Sequence, residues 1–258
     1  MDSPLCYLGG KSRLAKRIVE MIPDDHLCYC EAFCGAAWVL FAKEPSKAEV
    51  INDADAELAT FWRVVQNHYT PFLDLFRHAV VSRQIFDWES MKRPETLTDL
   101  QRAARYFYLQ RCGFGGKTFK RTFGVSATSA ARLNLSTIEE DLLRVHWRLK
   151  RVTVECLDAM DCIRRYDRPT TVFYLDPPYW GTEGYAVPWP EERYSDLATV
   201  LGGIQGRFIL SLNDTAAVRK TFSAFQIKPV ATRYSCTNGR ATNHGRAEPA
   251  REVLIHNV

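Results

Sequence analysis

Four consecutive residues near position 176 combine the groups needed to hold an amine. Asp176, Pro177, Pro178 and Tyr179 directly follow the apolar run 171–175, which is typical of a buried strand. Two prolines fix the backbone and donate no amide hydrogen, so neighbouring carbonyl groups stay open as acceptors. The Asp176 carboxylate and the Pro177 carbonyl can accept both hydrogens of a nucleobase amine and direct its lone pair toward an electrophile. Tyr179 adds an aromatic face for stacking.

A second candidate site is formed by a glycine and an acid at the ends of two predicted strands. Gly35 follows the run 26–33, and Asp53 follows the run 48–51. A glycine turn lets a ligand approach the backbone, and an acid roughly twenty residues later is the usual partner of a ribose diol. The pair therefore predicts binding of a nucleotide or of S-adenosylmethionine. A plain helix-capping role for Asp53 stays open.

Strands and helices alternate around these motifs. Predicted helices follow the glycine turns at 9–11 and 35–37, and strands recur at 151–155, 171–175, 208–212 and 253–255, with Asp214 predicted to cap a helix at 215–221. This alternation predicts an α/β fold, a doubly wound Rossmann-like sheet. From 57 to 145 the pattern changes to helices, interrupted by a glycine-rich, aromatic and basic segment at 112–124. We predict one domain from 1–56 and 146–258, with 57–145 inserted into it as a helical and hairpin domain.

The charge of the chain is concentrated in the predicted insert. The overall net charge is only +4, but residues 98–151 hold eleven Arg or Lys against four acids, a local net of +7. Such a block attracts a polyanion, because each neutralised phosphate releases condensed counterions. A solvated helix face remains the alternative interpretation.

The cysteines and the hydropathy pattern argue against several other classes. The eight cysteines lie mostly in apolar stretches, which favours reduced, buried thiols. Cys28, Cys30 and Cys34 near His26 lack the spacing of a zinc site, so we expect no metal. The chain has neither a run of eighteen apolar residues nor a secretory profile at Met1–Pro4, and we expect a soluble, cytoplasmic protein that binds no membrane.

In order along the chain, the motifs resemble those of one family. Gly9-Gly10-Lys11, Phe33-Cys34-Gly35, Asn52-Asp53, the basic insert and Asp176 to Tyr179 together are similar to the Dam-like, D12 class adenine DNA methyltransferases of bacteria and phages. The resemblance covers nearly the whole chain. It implies an S-adenosylmethionine-dependent methyltransferase fold and site-specific methylation of the N6 amine of an adenine flipped out of duplex DNA.

The resemblance also assigns roles to individual residues. It implies that Tyr7 and Lys11 contact the S-adenosylmethionine cofactor, that Phe33 and Gly35 line its methionine end, that Asp53 binds its ribose hydroxyls and that Asp158 lies beside its adenosine. A surface lysine, an ordinary core tyrosine and a plain helix cap are the alternatives for Lys11, Tyr7 and Asp158.

Double-stranded DNA is the partner that the family resemblance implies for the insert. Arg111, Lys117, Lys120 and Arg121 are the candidates for DNA contacts, where phosphate contacts give affinity and arginine on guanine gives sequence choice. Phe114 or Phe119 is a candidate wedge in the base stack, with a core role as the alternative. A cognate restriction enzyme is a candidate second partner, but an orphan or phage-borne enzyme fits the same sequence.

Two segments depart from the family pattern and keep alternatives open. Ala37 and Trp38 stand where the family has a glycine and a serine, and they either crowd the cofactor or reshape its pocket. The hairpin lacks the Asn-Gly and arginine arrangement that reads GATC, so the target sequence is undetermined. Methylation of RNA adenine or of the cytosine N4 amine is the first alternative, and an impaired relative that only binds DNA is the second. The missing G-x-G-x-x-G argues against an oxidoreductase.

Overall fold

The computed structural model describes residues 1–7, 10–124, 126–128, 130–182, 185–232 and 250–258. Within these ranges the chain forms a seven-stranded sheet and its flanking helices. The strands are β1 Cys28–Glu31, β2 Ala48–Asn52, β3 Val152–Glu155, β4 Thr171–Leu175, β5 Arg207–Asn213, β6 Gln226–Thr232 and β7 Ala250–His256.

The helices are α1 Ala15–Val19, α2 Trp38–Ala42, α3 Ala56–Asn67, α4 Tyr69–Asp74, α5 Arg83–Met91, α6 Asp99–Cys112, α7 Ile138–Leu149, α8 Ala159–Tyr166, α9 Glu192–Gly203 and α10 Ala216–Thr221. Short 3₁₀ turns cover Pro94–Thr96 and Phe114–Gly116.

The sheet has the strand order β3-β2-β1-β4-β5-β7-β6. Strands β1 to β5 pair in parallel, and β7 runs antiparallel to both β5 and β6. The prediction of a doubly wound α/β fold is therefore confirmed. The order reverses between β1 and β4, and in such sheets the ligand crevice lies beyond the carboxyl ends of the strands at this reversal.

The pairing register brings the predicted motifs to one edge of the sheet. Glu31 at the end of β1 is level with Ile51 of β2 and with Tyr174 of β4. The residues that follow these strands, including Gly35, Asp53 and Asp176, therefore leave the sheet at the same edge. The parallel register accounts for the meeting of motifs that are far apart in the sequence.

Each strand places alternate side chains in two hydrophobic layers. On β4, Tyr174 faces the layer that contains α2 and α3, whereas Phe173 and Leu175 face the layer that contains α8, α9 and α10. Phe208 of β5 joins the second layer and is fully buried. Burial of each such side chain stabilises the fold by roughly 1.5–3 kcal/mol. The loop Asp176 to Tyr179, which is predicted to be catalytic and is called the catalytic loop below, thus follows a strand that is packed on both faces.

The inserted helices share the first of these layers. Phe61 of α3 stacks on Phe107 of α6 with 5.6 Å between ring centroids, and Phe72 and Phe76 complete the aromatic cluster. Thr98 begins α6 with a capping box that Gln101 completes. The insert is therefore packed directly against the sheet domain, and its description as a separate domain stays a prediction.

The basic segment at 112–124 forms a short hairpin, in agreement with the hairpin expected in the insert. Gly113 pairs with Phe123, and the amide of Phe114 donates to the Thr122 carbonyl at 2.8 Å. Lys120 adopts a φ of 47°, in the left-handed region that is costly for a side chain. We call residues 113–124 the basic hairpin.

Two local expectations differ from the structure. Thr215, and not Asp214, caps α10 by accepting from the Val218 amide at 3.1 Å, because the Asp214 carboxylate pairs with Arg219 at 2.6 Å. Strand β6 is not among the strands that the sequence analysis predicted, and Pro229 lies within it. Proline is tolerated there because β6 is the edge of the sheet.

The described residues also bear on the expected cysteine chemistry and membrane segments. The seven described cysteines are free thiols, and Cys236 lies outside the described residues. No cluster of His, Cys, Asp or Glu side chains suited to a metal occurs in the described part of the chain. The described helices include none with the length and apolar character needed to cross a membrane.

Candidate active site

A cleft that is partly open to solvent lies at the carboxyl edge of the sheet. It contains eight of the ten residues predicted for catalysis and cofactor binding: Tyr7, Lys11, Phe33, Gly35, Asp53, Asp158, Asp176 and Pro178. Pro177 and Tyr179 belong to the same loop but are not among the lining residues. Gly9, from the predicted Gly-Gly-Lys turn, lies outside the described residues.

Asp176 is held at the end of β4 by two donors. Its Oδ1 lies 2.7 Å from the Lys11 Nζ and accepts from the Ser211 Oγ at 2.9 Å. The Tyr174 hydroxyl lies 3.0 Å from the same Ser211 Oγ, so the four side chains form a connected network. Burial raises the pKa of Asp176, whereas the Lys11 charge and both hydrogen bonds lower it. The network fixes the direction of the carboxylate.

Lys11 joins the predicted cofactor motif to the catalytic loop. Its side chain is almost fully buried, and its Nζ lies 4.6 Å from the centroid of the Tyr179 ring as well as beside Asp176. An ammonium group over an aromatic face is attracted by the ring quadrupole. The surface-lysine interpretation is therefore wrong, and Lys11 contacts two of the four residues of the catalytic motif.

The rest of the catalytic loop is fixed by residues that the motif analysis did not assign to the site. The Tyr194 hydroxyl donates to the Pro178 carbonyl at 2.5 Å. The Asn213 side chain bonds both the amide and the carbonyl of Trp180, at 3.0 and 3.1 Å. The Trp180 ring stacks on Tyr194 at 4.7 Å. Tyr194, a helical residue, carries no local signal of this role.

Gly35 and Asp53 form the glycine-and-acid pair that the sequence predicted. The Gly35 amide donates to the Asp53 Oδ2 at 3.0 Å, and the Asp55 amide donates to the Oδ1 at 3.0 Å. Gly35 has a φ of 46°, and a Cβ on it would lie 3.1 Å from the Tyr7 ring. Burial raises the pKa of Asp53 to about 6. Each Asp53 oxygen accepts one main-chain amide and retains capacity for a further donor.

The Asn52 side chain connects neighbouring chain segments beneath this site through hydrogen bonds. Its amide nitrogen donates to the Ala32 carbonyl at 2.9 Å and to the Leu157 carbonyl at 3.1 Å, and its oxygen accepts from the Leu157 amide at 2.8 Å. The side chain is fully buried. Asn52 thereby ties together the chain segments that carry Gly35, Asp53 and Asp158.

Asp158 has partners within the protein. Its carboxylate caps α8 through the Met160 amide and lies 2.5 Å from an Arg193 nitrogen. The Arg193 guanidinium lies 4.2 Å from the centroid of the Trp189 ring, which meets the edge of Phe33 at 5.0 Å. The Trp189 Nε1 is buried and has no hydrogen-bond partner among the described residues. These groups form an aromatic and charged wall of the cleft.

Ala37 and Trp38 fit the turn that leads into α2. Ala37 adopts a left-handed conformation, with a φ of 52°, so the backbone follows a path that glycine ordinarily favours. Trp38 lines the cleft, and its Nε1 would lie 2.8 Å from a Cβ placed on Gly10. Trp38 therefore packs against the glycine turn and forms part of that wall of the cleft.

The four basic residues predicted to bind DNA occupy two kinds of position. Lys117 and Lys120 are exposed on the basic hairpin. Arg111 instead donates to the Pro4 carbonyl at 3.1 Å and to the Arg132 carbonyl, which ties three segments together. The Arg121 Nε donates to the Gln110 side chain and to the Lys117 carbonyl, both at 3.2 Å.

The basic hairpin also touches the loop that follows the catalytic motif. The buried Thr118 hydroxyl accepts from the Ala186 amide at 3.0 Å, and Ala186 lines the cleft. Phe114 and Phe119, the candidate wedges, are each 52% exposed on the same hairpin. Glu183 and Gly184 of this loop lie outside the described residues. The hairpin thus lies beside the mouth of the cleft.

The fold and this cleft are those expected of a methyltransferase, and the sequence comparisons give the family. The model of the D12 class N6 adenine-specific DNA methyltransferase family matches residues 7–236. The chain belongs to this family, which acts in DNA adenine methylation.

Two sequence relatives are type II methyltransferases. The chain is 23% identical to the type II methyltransferase M.CviBI of Paramecium bursaria Chlorella virus NC1A over 226 residues, 85% of each protein. It is 28% identical over 116 residues to the type II methyltransferase M1.LlaDCHI of Lactococcus lactis subsp. cremoris, 43% of this chain and 40% of that protein. Among solved structures, the precorrin 8W decarboxylase of Methanobacterium thermoautotrophicum matches with a TM-score of 0.43 and 12% identity, over 96% of this chain and 88% of that one.

Proposed function

We propose that this chain is a site-specific DNA methyltransferase that transfers a methyl group from S-adenosylmethionine to the N6 amine of an adenine flipped out of duplex DNA. The observation that carries the proposal is the Asp176 carboxylate, fixed by Lys11 and Ser211 beside the Gly35 turn. Family membership supports the reaction, and the cleft supplies the residues for it.

The residues of the cleft fit S-adenosylmethionine. A Cβ at Gly35 would lie 3.1 Å from the Tyr7 ring, so the Gly35 turn and Tyr7 pack together as one wall of the cleft. Asp53 retains acceptor capacity for ribose hydroxyls, and the buried Trp189 Nε1 is a donor available to the adenosine. When bound, S-adenosylmethionine supplies a methyl group activated by a sulfonium charge.

Lys11 and the catalytic loop would hold the target amine. Asp176 accepts one amine hydrogen and the Pro177 carbonyl accepts the other, so the nitrogen lone pair turns out of the plane of the base. Asp176 is also a base for the proton that the amine must lose. Lys11 favours the ionised carboxylate that both tasks require.

DNA would reach the cleft through the basic hairpin. The target adenine is inaccessible inside a duplex, so it must be flipped out, at a cost of roughly a few kcal/mol. Stacking on Tyr179 and hydrogen bonds to Asp176 and Pro177 offset this cost. Lys117 and Lys120 are positioned on the exposed hairpin to neutralise phosphates, and Arg121 lies at its base.

Transfer of labelled methyl from S-adenosylmethionine to duplex DNA and to RNA tests the proposal, with the wild-type chain beside Asp176→Ala. N6-methyladenine from DNA, lost in the variant, is the expected result. Label in RNA would identify RNA as the substrate, and label in N4-methylcytosine would identify the cytosine amine as the methylated group. DNA binding without any transfer would indicate a binding protein.

The type II relatives suggest a role in restriction and modification. A restriction enzyme with the same target sequence is then a partner in the cell, although contact between the two proteins is not required. Plasmid DNA from cells that express the chain should resist cleavage by that enzyme. Unprotected plasmid from cells with active methyltransferase would argue for an orphan modifier.

A further inference from the structure

One residue of the basic hairpin faces the interior of the protein. Thr118 is only 6% exposed, whereas its neighbours Lys117 and Phe119 are exposed. Alternate side chains of an extended segment point to opposite sides, so these two neighbours face outward when Thr118 faces inward. Burying a hydroxyl is costly unless it is hydrogen-bonded. A buried hydroxyl within a surface proposed to bind DNA therefore serves a contact inside the protein.

That contact is with the loop that follows the catalytic motif. The Thr118 hydroxyl oxygen accepts from the Ala186 amide at 3.0 Å, although the two residues are 68 positions apart in the sequence. Ala186, Val187 and Trp189 all line the cleft. We call residues 185–189 the cleft loop. The bond therefore joins the basic hairpin to a wall of the cleft.

The other end of the cleft loop contacts the residues assigned to the cofactor. The Trp189 ring meets the edge of Phe33 at 5.0 Å, and the Arg193 guanidinium lies 4.2 Å from the Trp189 centroid. Arg193 in turn lies 2.5 Å from the Asp158 carboxylate. The cleft loop is thus held at one end by the wall assigned to the cofactor and at the other end by Thr118.

The basic hairpin is itself fixed at its base. Gln110, which is fully buried near the end of α6, donates to the Gly116 carbonyl at 2.8 Å and also to the Cys6 carbonyl. Its side-chain oxygen accepts from the Arg121 Nε at 3.2 Å. These bonds hold the hairpin on both sides of Thr118. The hairpin therefore presents Thr118 to the cleft loop from a fixed position.

We propose that Thr118 is a positioning residue whose hydroxyl holds the cleft loop against the basic hairpin, so that the element that binds DNA also sets the cleft wall beside the cofactor. The inference rests on the proposed function, which supplies the DNA and the cofactor. Thr118 is not a catalytic residue, because it does not line the cleft and acts through Ala186. A duplex bound to the hairpin should restrain the cleft loop through this bond.

Substitutions at position 118 test the role. Thr118→Val keeps the shape of the side chain without the acceptor, and Thr118→Ser keeps the acceptor. Thr118→Val should lower kcat/KM for S-adenosylmethionine about 5- to 30-fold, the effect of one hydrogen bond. The Kd for duplex DNA and its salt slope should not change, because Lys117 and Lys120 remain exposed. Thr118→Ser should restore most of the activity.

A threonine in α9 provides the control. The exposed Thr199 hydroxyl donates to the Ser195 carbonyl at 3.0 Å, and neither residue lines the cleft. Thr199→Val should therefore leave kcat/KM unchanged. Circular dichroism and thermal unfolding show whether each variant is folded. If Thr118→Val is unfolded, Thr118→Ala removes the same hydroxyl with less bulk and takes its place.

Hydrogen exchange of the Ala186 amide gives a readout that does not depend on methyl transfer. In the wild-type chain this amide should exchange slowly, and more slowly when the chain is bound, without cofactor, to a duplex that it methylates. In Thr118→Val the amide should exchange faster, and the duplex should no longer slow it, because the connection to the hairpin is lost.

The outcomes separate the inference from the proposed function. If the wild-type chain methylates DNA but folded Thr118→Val keeps its kcat/KM and its exchange rates, the inference is overturned and the proposed function stands. A wild-type chain that neither binds nor methylates DNA overturns the proposed function. In that case, exchange of the Ala186 amide without DNA still shows whether Thr118 holds the cleft loop.

Discussion

The Nζ of Lys11 lies 2.7 Å from the Oδ1 of Asp176, and both side chains are largely removed from solvent. The two residues come from opposite ends of the motif series, and the register of the parallel strands brings them together. Burial alone would favour a protonated carboxyl, and the lysine charge together with the hydrogen bonds from Lys11 and Ser211 favours the carboxylate at this position.

Replacing Lys11 should shift the pH dependence of catalysis. In Lys11→Met the pKa of Asp176 rises, because burial is no longer opposed by the positive charge. The protonated, inactive carboxyl then persists to higher pH, so the acid limb of the kcat profile should move upward. Methyl-transfer rates between about pH 5 and 9 measure this. Exposed Lys16 on α1 is the control, and an unmoved limb in Lys11→Met would contradict the assigned role.

Cofactor affinity should depend on the protonation of Asp53. Its pKa of about 6 means that the carboxylate loses an acceptor as the pH falls through this value. The Kd for S-adenosylmethionine should therefore rise about tenfold per pH unit below that point. Calorimetric titrations across pH 5 to 8 measure the slope, and Asp53→Asn should flatten it. Exposed Asp161→Asn is the control and should keep the pH dependence of the Kd. If Asp53→Asn also keeps it in full, a group other than Asp53 causes the titration.

A methyl group at Gly10 should disturb the cofactor turn. The Cβ of Gly10→Ala would lie 2.8 Å from the Trp38 Nε1 and 3.1 Å from the Tyr7 carbonyl oxygen. We expect a loss of roughly 1–3 kcal/mol in the free energy of unfolding, the usual cost of overpacking. Urea denaturation measures it, and Trp38→Phe should restore part of the loss.

The control for that variant is a glycine with space around it. Gly202 lies in α9, and no atom comes within 4 Å of a Cβ placed on it. Gly202→Ala should be neutral or stabilising by up to about 1 kcal/mol, because alanine favours the helix. Equal losses at both glycines would show that the contact with Trp38 is not the cause.

The basic candidates should separate into DNA-binding and structural residues. Lys117→Gln and Lys120→Gln should each weaken binding to duplex DNA and reduce the salt slope by about one. Arg111→Gln should instead lower the free energy of unfolding, because its guanidinium joins Pro4 and Arg132. Fluorescence anisotropy at several salt concentrations and urea denaturation distinguish the two effects. Exposed Lys47, before β2 at the opposite edge of the sheet, is the control and should not alter the slope.

Glu31 should make stability fall as the pH rises. Burial raises the pKa of Glu31 from an ordinary 4.5 to about 8, although the Tyr29 hydroxyl and the Leu40 amide donate to it. Between these values the folded chain holds a proton that the unfolded chain releases, so the free energy of unfolding decreases with pH. The loss should reach a few kcal/mol, and Glu31→Gln should remove it. Denaturation at pH 5, 7 and 9 tests this, and an unchanged pH dependence in Glu31→Gln would refute the assignment.

Local sequence patterns predicted most of the elements that build the sheet. The strand before Asp176 and the glycine turn before α2 were located correctly, because hydrophobic periodicity and turn residues are properties of neighbouring positions. Strand β6 was missed because Pro229 argues against a strand unless the strand is known to lie at an edge. That position depends on the order of the whole sheet.

The sequence by itself determined the motif series and, through it, the family and the chemistry expected of Asp176 to Tyr179. Only the tertiary structure decided which side chains meet those residues. Lys11, Ser211 and Tyr194 contact the catalytic loop from three separate segments, and the hydrophobic periodicity of those segments does not predict these contacts. Contacts of this kind depend on strand order and register, which are set by the packing of the complete chain.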